Sequence, residues 1–269
     1  MDSTYLPLTY VDVAIAAGLV ILNAALSIAL ELGLARRLLL AAARMTVQLV
    51  LVGLVLKTLF EISSPWLTAA AALFMALVAG REILARQETP LSGSWGYGIG
   101  TTSILIAGSL VTIFGLVVQI GEDPWYAPRY ALPLFGMILG NGMTGIALGL
   151  DTLTAQARRE RAAIEANLCL GATRWQAMRP FIRRALSTGM MPIINAMSAT
   201  GVVSLPGMMT GQILSGVAPT EAVKYQLLVM FLIAGSTGLG VLGAVYATAL
   251  RLTDPRHRLR LDRLRAKTE

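Results

Sequence analysis

Between residues 151 and 189 seven arginines (Arg158, Arg159, Arg161, Arg174, Arg179, Arg183, Arg184) surround a pattern E-A-x-x-x-x-G-A-T, formed by Glu165, Ala166, Gly171, Ala172 and Thr173. The chemistry available to this set is recognition, not bond-making. Glu165 and Ala166 open a short apolar run that continues through Leu168 and Leu170. Gly171 is the kind of residue that closes a helix in a left-handed cap or lets a second backbone come close. A short helix followed by a tight turn forms a knob, and its charged flank suits docking. An ordinary amphipathic helix ending at a glycine cap accounts for the motif alone equally well.

Other reactive groups are scarce. Cys169 is the only cysteine and His257 the only histidine, so an intramolecular disulfide is impossible and a structural zinc site lacks its usual ligands. No Ser/His/Asp set, Cys/His pair or metal-ligand cluster stands out, which leaves an intramembrane enzyme without evident machinery. The chain also lacks a G-x-x-x-x-G-K-[ST] phosphate loop, so energy from ATP would have to come from a partner.

The elements that must carry these residues are membrane spans. With 55% hydrophobic residues, 14% charged ones and a mean hydropathy of +0.67, the chain lies far from soluble domains, of which about 25% is charged. An all-α polytopic membrane protein is predicted. A net charge of +7 is compatible with nucleic-acid binding only if the basic residues share one folded surface, and here they sit in loops between apolar segments. No nucleic-acid partner is expected; the partner medium is the lipid bilayer. Charges and turn residues delimit seven spans, at 11–30, 38–56, 60–80, 99–120, 132–150, 190–205 and 225–250. The sixth is irregular, with Pro192 near its start and Pro206-Gly207 at its end. The first is expected to be a span and not a cleaved leader, since its flank carries Asp2 and Asp12 in place of a basic region.

Seven spans put the loops at 31–44, 81–97 and 151–189 and the tail from 251 on one side, with three, two, seven and seven Lys or Arg, which is 19 of the 22. The other side keeps Lys57, Arg129 and Lys224. The positive-inside rule then predicts an external N-terminus and a cytoplasmic C-terminus. Dropping one span would mix the two sets. Trp66, Trp125 and Tyr126 fall at the outer boundary and Trp95 and Tyr97 at the inner one, as interfacial aromatics should. The expected organisation is one transmembrane domain, 1–269, with a cytoplasmic loop at 151–189 and a basic tail at 251–269.

Inside the spans the polar residues are Asn23, Gln48, Asn141, Thr144, Asn195 and Ser198, with Glu31 and Arg44 near cytoplasmic ends. No carboxylate pair stands at mid-membrane, which weighs against an ion-coupled secondary carrier. Small-residue pairs are frequent: Gly136/Gly140, Gly145/Gly149, Gly207/Gly211, and the stripe Ser236, Gly240, Ala244. They suit close helix packing or a sliding surface. Methionines cluster too, Met137, Met143, Met190, Met191, Met197, Met208 and Met209 making seven of the twelve. A thioether can take a soft metal, but methionine is first a packing residue. Gln48, Asn141, Met143, Thr144, Asn195, Met197, Ser198, Met208 and Met209 are the candidate pathway residues. These readings leave three classes open: a transporter subunit driven by a partner ATPase, a self-contained channel or carrier, and an intramembrane enzyme or assembly factor.

The pattern of Glu165 to Thr173 resembles the EAA loop of ABC-transporter permeases, a coupling helix seated in a groove of the nucleotide-binding subunit. GMILGNGMTGIALGLDTL (136–153), EANLCLGATRWQAMRPFIRRAL (165–186) and MMPIINAMSATGVVSLPGMMTGQILSG (190–216) are similar to the FetB-type permeases, described as iron-export subunits with plant relatives linked to aluminium tolerance. The likeness extends over about 44–243 and is most specific over 136–216. It implies a non-enzymatic permease subunit in the inner (cell) membrane, working as a homodimer with two P-loop ATPase subunits. ATP and Mg would sit on the ATPase, and this chain would bind no cofactor of its own. It also implies that Glu165, Ala166, Gly171, Ala172 and Thr173 couple to that ATPase. Where importer-type EAA loops continue to Leu-Pro, this chain has Arg184-Ala185, so import is not implied.

Overall fold

A computed structural model describes residues 9–121 and 123–265, and they are almost wholly helical. The order is α1 (Tyr10–Ala29), α2 (Ala35–Ile62), α3 (Pro65–Ala85), α4 (Trp95–Phe114, prolonged by a π-helical segment Gly115–Ile120), α5 (Pro128–Arg159), α6 (Arg161–Cys169), α7 (Arg174–Ala199), α8 (Gly207–Leu214) and α9 (Pro219–Leu252). Among these, α1, α2, α3, α4, α5 and α9 are long and apolar enough to cross a bilayer. The protein is a polytopic all-α membrane protein.

Helix ends follow local chemistry. Thr9 and Asp12 cap α1 reciprocally, the Thr9 N–H donating to Asp12 at 2.8 Å and the Asp12 N–H to the Thr9 hydroxyl at 3.3 Å. Proline opens α3, α5 and α9, where its missing N–H costs nothing. The break expected at 57–59 lies later: α2 runs to Ile62, and Ser63 with φ 45 makes the turn into Pro65. Lys57 therefore sits in the last turns of α2, where its long stem lets the ammonium reach the interface.

The sixth span is the element that differs most. Its helix α7 starts at Arg174, well before residue 190, and carries Arg174, Arg179, Arg183 and Arg184 in its first half. Four cations keep it below the hydropathy of the other six. Thr200 and Ser204 then bridge across a non-helical break before the short α8. Glycine contacts give the direction of travel. Gly145 of α5 meets Gly189 of α7 and Thr237 of α9, whereas Gly149 meets Ala185 and Val245, so α5 and α9 run parallel and α7 returns between them. The apolar half of α7, the break and α8 thus form the composite return limb.

The core lies where α3, α4, α5, α7 and α9 meet, around Ile138, Ile146, Leu150, Leu153, Val241 and Val245. Backbones approach very closely there. A Cβ on Gly189 would stand 2.6 Å from Val241 Cγ1 and 2.8 Å from the Gly145 carbonyl oxygen, and one on Gly145 would stand 2.7 Å from the Gly189 oxygen. Gly145, Gly149, Gly240 and the buried Ser236 and Ala244 are packing residues in this sense. Gly140, Gly207 and Gly211 are not, since a Cβ there meets nothing within 4 Å.

At the arginine-rich end the segment after α9 folds back over the helix termini. Asp254, only 5% exposed, accepts the backbone N–H groups of Arg256 and Arg258 and the Arg258 Nε, each at 2.9 Å. The Arg258 N–H is the main reason its carboxyl is held below the ordinary carboxylate range. Further on, the Arg260 guanidinium lowers Asp262 to about 2. Leu264 is buried against Leu91 between α3 and α4, with the Ser92 N–H donating to the Arg263 carbonyl (2.8 Å) and the Arg265 N–H to that of Pro90 (2.9 Å). What reads as a polar basic tail is a strap; its residues 266–269, like residues 1–8 with Asp2, lie outside the described residues.

Candidate functional site

The knob is built as its spacing predicts. α6 stands at the end of α5 with Ile164 fully buried and Leu168 packed on the core, so the helix is seated on the body. Gly171 closes it with φ 91, and Thr173 caps α7 through a reciprocal pair with Gln176, the Thr173 N–H donating to Gln176 at 2.8 Å. T-x-x-Q is the signature of this cap in the sequence. The tip is open. Leu170 is 86% exposed, Ala166 and Cys169 are exposed, and a Cβ on Gly171 would meet nothing within 4 Å. Gly171 is therefore constrained within the chain by its positive φ, which a β-branched residue adopts at a cost, and not by crowding. Ala172 is half-buried, and Glu165 pairs with Arg161 one turn earlier at 2.8 Å.

The strap reaches this knob from the far side. The Arg174 N–H, one of the unsatisfied donors at the start of α7, donates to His257 Nδ1 at 3.0 Å. Arg158 Nη2, at the end of α5, donates to the Arg265 carbonyl at 3.3 Å. The Asp151 carboxylate accepts the Glu88 N–H at 2.7 Å, which ties the α3–α4 connection to α5 as well. The knob, both flanking helices and the strap are thereby joined into one arginine-rich platform.

The candidate pathway residues do not converge on one point. Asn141 and Thr144 lie on α5, the first donating to the Met137 carbonyl at 2.9 Å and the second to that of Gly140 at 3.2 Å. Asn195 and Ser198 are exposed on α7, Ser198 donating to the Ile194 carbonyl at 2.9 Å. Met143 and Gln48 line a cavity of about 410 Å³ between α2, α3 and α5. Met208 lines another of about 1010 Å³ with Met137, Arg129 and Lys224, and Met197 and Met209 line a third of about 350 Å³. The methionines are distributed over three spaces. Among the described residues no group of three His, Cys, Asp or Glu side chains is arranged to hold a metal ion.

Sequence reasoning missed the polar chain beside Gln48. Arg44 of α2 pairs with Glu82 of α3, and Arg86 one turn on donates to Thr144 of α5 at 3.1 Å. Charged residues at the ends of two apolar segments, and one threonine within a third, are the available signal. Their separation of 38 and 58 positions hides the pairing.

The exposed face of α7 also has a distinct character. Its core side is Met178, Ile182, Ala185, Gly189 and Ile193, whereas Asn195 and Ser198 of its apolar half are exposed beside Met191, Ile194 and Met197. Polar groups on a membrane-embedded helix face are costly against lipid and suit a wet cavity or a second protein surface.

Comparison with known proteins places this architecture. The family model for the Uncharacterised protein family UPF0014 matches residues 10–252. The UPF0014 membrane protein slr1647 of Synechocystis is 36% identical over 254 residues, covering 93% of this chain and 96% of that one. The protein named "Probable iron export permease protein FetB" of Escherichia coli is 30% identical over 260 residues, covering 97% and 98%. Protein ALUMINUM SENSITIVE 3 of Arabidopsis thaliana is 32% identical over 228 residues, covering 84% and 81%. No solved structure matches the chain. With the model spanning nearly every described helix and relatives aligned end to end, the chain belongs to the UPF0014 family of multi-pass membrane proteins.

Proposed function

We propose that this protein is a permease, the membrane subunit of an ABC transporter of the cell (inner) membrane that exports a metal ion such as iron, or a related small solute. It has no enzymatic activity of its own. ATP and Mg are bound by a separate P-loop ATPase, and two copies of this chain pair in the working transporter. The observation that carries the reading is the knob: α6 is anchored by buried Ile164 and presents an exposed tip of Leu170 and left-handed Gly171 on an arginine-rich platform. The exposed tip is available for docking to a partner subunit. The relative named as an iron export permease, aligned over almost its whole length, supports the transported class. In this reading Glu165, Ala166, Gly171, Ala172 and Thr173 transmit ATPase closure into α5 and α7. Asn141 and Asn195, together with Thr144 and Ser198, face the cavity between the two copies.

The test is co-purification and transport with a P-loop ATPase subunit, sought first in the neighbouring coding sequence. Glu165→Arg places a cation beside Arg161 and reverses the charge offered to the partner, and losing one desolvated interfacial pair costs about 2 to 5 kcal/mol. Gly171→Val strains the turn. Both variants should reach the membrane normally, retain less ATPase and lose coupled transport. Equal ATPase retention and transport by both would leave the self-contained carrier as the better account. Orientation has its own reporter: Cys169 is the sole thiol and is exposed, so an impermeant maleimide should label it in inverted vesicles and not in intact cells.

A further inference from the structure

We propose that the groove between α7 and α9 at the arginine-rich end binds the phosphate headgroup of an anionic phospholipid from the leaflet on that side. Arg179, Arg183 and Arg184, with Ser187 of α7 and Tyr246 of α9, line a cavity of about 760 Å³. Arg179, Arg183 and Ser187 follow one another at intervals of four, so they form one ridge along the helix. Among the described residues none of the three arginines is paired with an acid. Three guanidinium groups and two hydroxyls, with no carboxylate, make a site for an oxyanion and repel a bare metal cation.

Depth identifies the oxyanion. The Gly189 backbone lies against Val241, which sets α7 and α9 level at that point. From there Arg183 is six residues back along α7 and Tyr246 five residues on along α9, so both lie about 8 to 9 Å towards the arginine-rich end. Tyr246 packs on Trp175 with ring centroids 5.9 Å apart, and a turn or so beyond it the Arg251 guanidinium covers the Trp95 ring at 4.3 Å. Paired aromatics and arginines at helix ends are the marks of the headgroup zone. The guanidinium groups are therefore at phosphate level. Half-buried Leu186 forms the apolar part of the wall open to the start of an acyl chain, with buried Ile182 behind it. A free anion would have no use for that wall. Lipid bound here would rest on α7, the helix that follows Gly171, so leaflet charge would bear on the helix next to the knob.

The experiment uses the full-length protein in phosphatidylcholine nanodiscs supplemented with phosphatidylglycerol, with retained lipid read by native mass spectrometry after detergent release. The parent protein should retain phosphatidylglycerol in preference to phosphatidylcholine. Arg179→Gln and Arg183→Gln should each lower that retention about fivefold, from the contribution of one interfacial arginine. Arg183→Lys should keep part of it, and Arg36→Gln, on α2 and outside the groove, should keep all of it. Equal retention of the two lipids by the parent protein would overturn the proposal without recourse to any variant. So would a loss in Arg36→Gln as large as in Arg183→Gln, which would mean general charge attraction. Displacement of the lipid by millimolar inorganic phosphate would assign the site to a free anion and refute the lipid assignment.

Discussion

Two parts of this molecule are equally apolar and differently packed. The best windows of α1, α2, α4 and α9 all have a mean hydropathy of 2.1, yet 11%, 0%, 44% and 50% of them are buried. Apolarity thus explains membrane residence and says nothing of which helices touch. The difference lies in small residues. In α9 Ser236, Gly240 and Ala244 are buried, and Gly240 lies against Ile146 of α5. In α1 and α2 a Cβ on Gly18 or Gly53 would meet nothing within 4 Å. Lipid tails are as good a neighbour for Leu and Val as another helix is, so contact requires backbones close enough to gain from packing. The α1–α2 pair is an annex, joined at its own turn by the Leu34 N–H donating to Ser27 Oγ (3.0 Å) and to the body by Arg44 and Glu82.

The contrast breaks most sharply at glycine. Gly189→Leu would push a side chain into Val241 and into a backbone carbonyl that cannot move aside, so the cost should exceed the roughly 3 kcal/mol of ordinary overpacking. Little folded protein is expected. Gly53→Leu, in the annex, should leave the melting temperature in detergent unchanged. Similar behaviour of the two variants by fluorescence size-exclusion and thermal melting would show that α7 does not sit between α5 and α9.

A second, smaller effect asks whether the strap belongs to the body. Leu264 is buried against Leu91, and Leu264→Ala should destabilise the arginine-rich platform by about 2 kcal/mol, at the low end for a leucine because the strap can settle. Thermal melting and proteolysis after Leu252 report it. An unchanged melt together with unchanged cleavage would make the strap an appendage like α1–α2.

These elements differ in how far they can be read from the sequence. The apolar spans and the left-handed turn at Gly171 are legible, because run length and one glycine after a helical run are local signals. The arginines of α7 hide how far that helix extends beyond the apolar part, since a hydropathy reading begins the span only where charge ends. The strap is invisible because backbone hydrogen bonds, a few polar contacts and Leu259, Leu261 and Leu264 hold it, with no period to detect. The Arg44–Glu82 and Arg86–Thr144 contacts join residues far apart in the chain, and one sequence contains no record of such pairing. The site divides in the same way. The knob residues are adjacent and can be named together, while the pathway residues share only polarity or a thioether and lie around several separate spaces.

Among the described residues one ion pair joins the annex to the body, and it offers a sharper test. Arg44 is more exposed than Glu82, with side-chain exposures of 56% and 27%, so solvent screening limits the pair to about 0.5 to 1 kcal/mol. Arg44→Leu and Glu82→Gln should each weaken α2–α3 cross-linking through cysteines placed at Gln48 and Val78, and the double variant should be no worse than either. Additive losses would mean that the two side chains act separately.

The smallest effect is a pH dependence confined to the strap. Asp254 accepts three hydrogen bonds from Arg256 and Arg258, and the Arg258 N–H chiefly holds its carboxyl below the ordinary range. A carboxyl whose pKa is lower in the folded turn than in the open one stabilises the turn when ionised. That contribution is complete above the ordinary carboxylate value of about 4, and it is lost as pH falls through the lowered folded value. At neutral pH, protonation is mimicked by Asp254→Asn, which keeps the shape and removes the charge. Hydrogen exchange at the Arg256 and Arg258 amides should then be faster in Asp254→Asn than in the parent protein, while the amides of α5 and α9 stay protected in both. In the parent protein the protection of the two amides, measured relative to that variant, should decline only as pH drops below about 4 and not between pH 5 and 8. Equal exchange in the two proteins at neutral pH would remove Asp254 as the fastening of the strap. The burial of Leu264 against Leu91 would then be its main attachment.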